Sequence, residues 1–324
     1  MRTLSLSFLL ALGCQPAATP PAEVSAADAL TGTITLSGAW ALYPMVVTWG
    51  EEFQKLHPNV KLDVSAGGAG KGMADALAEV VDLGMVSRDV KPEEVEKGAW
   101  WVSVTKDAVV PTFNAAHPDA AAIRAQGATQ EEFKTLFLGK EGEVEKDWSA
   151  LTGGEKRPVH VYTRSDACGA GETFSAWLGG HQEDLQGVGV YGDPGLSDAV
   201  LKDPLGAGYN NVGFAYDAAT LQPVAGLAVL PLDLDGDGMV SPAEDFYGTR
   251  DSLAAAIGDG RYPSPPARAL HLVAHGVPVK PEVLAFLRWV LTDGQKYVAD
   301  AGYIQLPQAS LDASLQLLQA PASP

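Results

Sequence analysis

Apolar and polar positions along this chain switch between two periods, one strand-like and one helix-like. Gly32–Leu36 (GTITL) is a short run with β-branched Thr33, Ile34 and Thr35, which predicts a strand. Pro44 then opens a helix, a place it tolerates because a first-turn N–H has no intrahelical partner. Met45, Trp49, Phe53 and Leu56 recur at helical spacing, so one face is buried. His57-Pro58 ends that helix, and Val60–Val64 (VKLDV) alternates as a second strand. A glycine cluster follows, then a helix through Met73–Val80 and a strand at Leu83–Met85. This alternation predicts an α/β fold with a parallel sheet covered by helices.

Beyond Thr112 the pattern is less regular. Gln130–Leu138 reads as a helix, and Val159–Thr163 (VHVYT) as a strand that leads through the loop Arg164–Gly171 into a helix from Glu172 to Leu178. Over Pro281–Gly302 the chain reads as helices, with Val283, Leu284, Leu287, Val290 and Leu291 on one face. The end after Ala309, closing in QAPASP, is expected to fray, with the frayed tail set at 319–324. There is no internal repeat and no coiled-coil heptad.

Composition narrows the class. The chain has 324 residues, room for one large or two ordinary domains, and 46% hydrophobic with 19% charged residues marks a packed globular protein. The net charge, 22 − 40 = −18, repels nucleic-acid phosphates, so no nucleic-acid partner is expected. It leaves a small anionic ligand open, because a pocket answers to local donors. Two cysteines cannot build a disulfide framework. No apolar run reaches the ~18 residues of a membrane span.

The first residues read as an address. MRTLSLSFLLALGC (1–14) joins Arg2 to the apolar stretch Leu4–Leu12, and Gly13-Cys14 follows. Residues 1–13 are expected to be a secretory signal, with lipidation at Cys14 and residues 14–31 as a flexible, Pro- and Ala-rich tether. The expected location is then periplasmic or cell-surface, anchored to a bacterial membrane by lipid. Cys168 is left as a free thiol.

Four turns rich in glycine or small residues stand at the carboxyl ends of predicted strands, where α/β sheets bind ligands. They are Ser37–Pro44, Ala66–Gly72, Met85–Arg88 and Arg164–Gly171. Helix amino ends present unpaired N–H groups and partial positive charge, and glycine lets backbone approach an anion closely. Arg88 and Arg164 could add forked donors for a tetrahedral oxyanion. The Gly67–Gly72 run is not a nucleotide P-loop, because Gly72 follows Lys71 where Ser or Thr is needed and Ser65 stands where the first glycine belongs. Lys71 reads as an exposed helix-start lysine.

In combination these turns resemble the PstS family of phosphate-binding proteins. The likeness runs from about Gly32 to Leu306. It includes Tyr43-Pro44, the glycine loop, VDLGMVSR (Val81–Arg88), YTRSDACGAGETF (Tyr162–Phe174), RYPSPPARALHLVAHG (Arg261–Gly276) and DGQKYVADAGYIQL (Asp293–Leu306). The resemblance implies a type II periplasmic-binding fold, two α/β lobes joined by two crossovers that close on one ligand. Lobe one would be 32–107 plus 268–318, and lobe two 108–267. It also implies inorganic phosphate or a similar oxyanion as ligand, an ABC permease as partner, and a protein that is not an enzyme; a monomer is expected. Carried onto this chain, the ligand-binding positions are Ala41, Leu42, Tyr43, Ala69, Gly70, Ser87, Arg88, Arg164, Asp166, Cys168, Gly169 and Ala170.

Departures from the family pattern remove hydroxyl donors. Ala39–Leu42 replaces Ser/Thr in the first turn, Ala69 replaces a serine, and Cys168 and Ala170 replace Ser and Thr in the last loop. Arg88 stands where some relatives carry an aspartate that accepts the phosphate proton. Asp166 is left either as that acceptor or as an arginine-pairing carboxylate, and weaker rejection of sulfate-like ions is expected. Cys168 at a helix amino end could be a nucleophile with His160 as base, or a small buried residue.

Asp233–Glu244 (DLDGDGMVSPAE) matches the twelve-residue calcium loop. Asp233, Asp235 and Asp237 fill positions one, three and five, and Gly238 the sharp turn at six. Met239 offers its backbone carbonyl at seven, with Ser241 at nine and Glu244 at twelve. A structural Ca2+ is expected, in a loop inserted into lobe two after a strand rather than between two helices. His271 and His275 lack the Glu of HExxH, so no zinc protease is indicated. The alternatives to a phosphate receptor are a receptor for another oxyanion or small organic anion, an enzyme on this fold using Cys168, and a calcium-dependent envelope protein.

Overall fold

The computed structural model describes residues 30–140, 142 and 146–319. The expected signal segment, Cys14, the tether up to residue 29 and residues 320–324 of the expected tail lie outside the described residues. The chain begins with β1 (Gly32–Gly38), α1 (Tyr43–Leu56), β2 (Val60–Ala66), α2 (Ala69–Leu77) and β3 (Leu83–Val86), in the predicted order. α2 starts four residues before the predicted Met73, directly after Gly68, whose φ of +91° makes the turn into it. A short α3 (Pro92–Glu96) leads to β4 (Ala99–Asn114), a strand of 16 residues.

The second part contains α4 (Ala120–Gln126), α5 (Gln130–Leu138), α6 (Ser149–Thr152), β5 (His160–Arg164), α7 (Gly169–Trp177), β6 (Val188–Val190), α8 (Gly192–Lys202), β7 (Gly206–Asn211), α9 (Val212–Ala215), β8 (Leu227–Val229) and α10 (Arg250–Asp259). The chain then returns through β9 (Ala267–His275) to α11 (Pro281–Leu291) and α12 (Gln308–Leu317). α7 begins three residues earlier than predicted, so Gly169 and Ala170 lie in its first turn.

The strands run in the order β2-β1-β3-β9-β4-β7-β5-β6, with β8 also on β4. β1 pairs in parallel with β2 and β3, and β5 with β6 and β7. The sheet is nonetheless mixed rather than parallel throughout, because β4 and β9 pair antiparallel with each other and with their flanking strands. These long strands escape a period-two reading. From Ala108 to Asn114 every residue of β4 is buried, so its two faces do not alternate in polarity.

Two hydrophobic cores lie along this sheet. One draws on Ile34 to Val104 and Leu270 to Leu318; the other runs from Ala108 to Ala267. β4 and β9 cross between them. Of the end expected to fray, residues 310–317 instead belong to α12: Leu311 and Ser314 are buried, and Ser314 Oγ donates to the Ser103 carbonyl at 3.1 Å. Apolar residues at helical spacing (Leu311, Leu315, Leu318) give this segment a face to bury.

Candidate anion-binding site

The amino ends of α1, α2 and α7 converge with the turn after β3. Neither Leu42 nor Gly68, the residues preceding α1 and α2, supplies a side-chain cap. The first turn is held by its own amides, Leu42 and Tyr43 both donating to Ala39 O at 3.1 Å, and by Tyr303 Oη donating to Ala41 O at 2.7 Å. Ala39 N donates to Met85 O at 2.8 Å, which sets this turn beside Ser87.

Contacts across the two cores are backbone-close. Gly70 N donates to Ala167 O at 3.1 Å, so α2 meets the loop before α7. A Cβ on Gly169 would collide with Ser87 Oγ, which only glycine avoids. Gly68, Gly70 and Ser87 from one lobe thus meet Asp166, Ala167 and Gly169 from the other. Lys91 and Glu172 add a half-exposed ion pair of 2.7 Å between the same two parts. A cavity of about 480 Å³ opens beside the junction, lined by Gly70, Arg88, Arg164, Asp166 and Cys168 among others.

Neither predicted arginine is an open donor. Arg88 forks onto Glu94, with Nη1–Oε2 at 2.9 Å and Nη2–Oε1 at 2.6 Å. Arg164 is held by two carboxylates: Nε and Nη2 donate to Asp166 at 2.7 and 2.5 Å, and Nη1 to Asp193 Oδ2 at 2.5 Å. Burial works against the Arg164 charge, but Asp193 and Asp166 outweigh it and hold the guanidinium above its ordinary pKa. Asp166 therefore takes the arginine-pairing role, and its Oδ1 also accepts from Gly192 N at 3.1 Å.

Cys168 is buried and free of any disulfide. Its Sγ accepts from Gly171 N at 3.2 Å, capping α7, while its own amide donates to Gln182 Oε1 at 3.0 Å. Burial pushes its thiol up to about 12, far from a reactive thiolate. His160, the suggested base, is exposed and pairs with Asp203 at 2.7 Å.

Several participants carry no sequence signal. Asp193 is fully buried and its Oδ1 accepts from Asn211 N and Nδ2 at 3.1 and 2.8 Å. Trp40 packs edge-on against Tyr191 and Phe214 of the second lobe, at 6.2 and 6.4 Å between ring centroids. Asp193 lies 29 positions beyond Arg164, and Tyr191 and Phe214 fall outside all four turns, so no local spacing flags them.

The calcium-like loop is locally closed. Carboxylate oxygens of Asp233, Asp235 and Asp237 lie within 4.8 Å of one another. Asp233 is buried and accepts from Gly236 N and Gly238 N at 2.8 and 2.9 Å, both glycines having positive φ. Glu244 accepts from Leu234 N at 2.7 Å and Ser241 N at 2.9 Å, drawing position twelve back over position one. Asp233 N donates to Ala128 O and Val240 N to Ala125 O, fastening the loop to the α4–α5 connection. The flank is β8 and no helix enters the loop.

Two α/β lobes with a ligand-sized junction at helix amino ends, bridged by two crossing strands, define the type II periplasmic-binding-protein class. A family model described as a PBP superfamily domain matches residues 23–294, and the chain belongs to that superfamily. It is similar to the phosphate-binding protein PstS of Bacillus subtilis, 28% identical over 57% of this chain and 58% of that protein. It is also similar to PstS of Methanocaldococcus jannaschii (26%, covering 85% and 83%) and of Pseudomonas aeruginosa (25%, covering 91% and 90%). Among solved structures it shares its fold with a protein described as a phosphate ABC transporter substrate-binding protein, with bound phosphate, from Clostridium perfringens. That match has a TM-score of 0.69 at 21% identity, over 85% of this chain and all of the other. A Vibrio cholerae ABC-type phosphate transport receptor matches at TM-score 0.60 and 17% identity, over 85% and 100%.

Proposed function

We propose that this protein is an extracytoplasmic binding protein that captures inorganic phosphate and delivers it to an ABC permease. The observation that carries this is the meeting of the uncapped α1 and α2 amino ends with Ser87 and Gly169 across the two lobes. Helix amino ends bind dianions through oriented N–H groups without needing a net positive surface. The PstS relatives give phosphate as the oxyanion of choice. With both arginines tied to carboxylates, backbone amides and Ser87 are left as the donors that discriminate shape. The family is one of binding proteins rather than catalysts, and the raised thiol of Cys168 fits that role.

Calorimetric titration of phosphate into phosphate-free protein tests the reading. A Kd at or below ~1 μM, on the order of −8 kcal/mol, is expected of a transport receptor. Absence of heat with phosphate, beside a clear response to another oxyanion or an organic anion, would transfer the site to that ligand.

The reading includes an anchor at Cys14, supported by the Leu4–Cys14 pattern. The protein is expected in the membrane fraction of its host and the Cys14→Ser variant in the soluble fraction; equal partition of the two would remove the anchor. Asp233, Asp235, Asp237, Glu244 and Ser241, with the Met239 carbonyl, are proposed to hold a structural Ca2+, because three carboxylates already stand within 4.8 Å. Chelation should lower the melting temperature.

A further inference from the structure

A buried carboxylate at the seam of the two cores has no part in the site described above. Asp107 on β4 and Arg268 on β9 are register partners on the crossing strands. They sit where the first core ends at Val104 and the second begins at Ala108. Arg268 Nε donates to Ser87 O at 3.1 Å, and Nη2 donates to Asn211 Oδ1. Arg268 thus touches the anion site from behind and joins the Asn211–Asp193–Arg164–Asp166 chain. Its Nη1 stands 3.6 Å from Asp107 Oδ2, and neither that nitrogen nor either Asp107 oxygen makes a hydrogen bond of normal geometry.

The charges of this buried cluster do not balance. Arg164 and Arg268 supply +2, while Asp107, Asp166 and Asp193 supply −3 when ionised, a sum of −1. An excess negative charge beside an anion site opposes binding, the more so in a low-dielectric interior. One proton cancels it. Asp166 and Asp193 each accept hydrogen bonds from Arg164 and from a backbone amide. Asp107 is held less closely, with no hydrogen bond of normal geometry to either oxygen. The groups that bear on it are Arg268 from β9, Asp193 from α8, Tyr262 before β9 and Tyr303 before α12, with the amides of Ala108 and Val212. Burial is the largest influence and lifts this carboxyl to about 6; Arg268 and the amides pull the other way, Asp193 with it.

We propose that anion capture takes up one proton from solvent, and that the carboxylate of Asp107 accepts it as a neutral acid. This rests on the oxyanion reading of the site. The sign follows from linkage: binding favours protonated Asp107, so affinity falls as pH rises above the pKa of the empty site.

The test is calorimetry with inorganic phosphate at about pH 7, in buffers of different ionisation enthalpy, on the wild type and Asp107→Asn. Protons exchanged by phosphate itself are the same in both proteins, so the difference belongs to Asp107. The wild type is expected to take up between about half and one proton more, and its affinity to fall up to ~10-fold per pH unit more steeply above neutrality. Equal proton counts and equal slopes would overturn the inference alone. No phosphate heat in the wild type would overturn the oxyanion reading, and this inference with it. Should Asp107→Asn fail to fold, the wild type decides: uptake no greater than phosphate's own second ionisation requires overturns the proposal.

Discussion

Replacing Arg164 with glutamine is expected to destabilise the protein by about 3–5 kcal/mol, the usual cost of stripping one partner from a buried ion pair. The Arg164, Asp166 and Asp193 side chains are 1%, 7% and 0% exposed, so the two abandoned carboxylates cannot recover solvation. At roughly 2–4 °C per kcal/mol for a chain of this class, the melting temperature should fall by about 6–20 °C. Phosphate affinity should fall by at least ~100-fold, since the site would then face two uncompensated negative charges. Arg164→Lys keeps the charge but cannot reach Asp166 through Nε and Nη2 while reaching Asp193 through Nη1, so it should rescue only part of both losses. A differential scan and a titration on each variant settle the matter. An Arg164→Gln protein that melts with the wild type and binds as well would show that this cluster does not support the site.

Calcium should have the second-largest effect. A ligand that binds only the folded state stabilises it by RT ln(1 + [L]/Kd), about 4 kcal/mol at a thousandfold excess over Kd. The geometry suits a tight site, because the loop turns at Gly236 and Gly238 are already made and Glu244 is already folded back. Chelator should therefore lower the melting temperature by several degrees, and readdition of Ca2+ should restore it. Mg2+ should restore less, since it demands six tight octahedral oxygens and surrenders water reluctantly. Asp233→Asn and Glu244→Gln should each abolish the response. A melt indifferent to chelator, with no metal in the purified protein, would make the loop an ordinary acidic turn. Because the loop is fastened to α4 and the connection that follows it in the second core, its loss should weaken that lobe and leave the β1–β3 region intact.

The residues of this chain decide some features on their own. β1 to β3 with α1 and α2 follow from β-branched runs, helical periodicity and glycine punctuation, all of which are local, and the four turns could be named before their meeting was visible. Local signals also gave α5 to the residue. The tertiary structure decided the rest. β4 and β9 are buried over much of their length, which removes the alternation that marks a half-exposed strand. α12 is helical because Leu311 and Ser314 find a surface to bury against, a partner that its short sequence does not announce. The charges of the site were the least legible. An arginine after a strand reads as a free donor, yet Arg88 and Arg164 are each neutralised by carboxylates, one of them, Asp193, 29 residues away. Such partners are chosen by the meeting of two lobes, and a chain position carries no record of what it will face once both cores are packed.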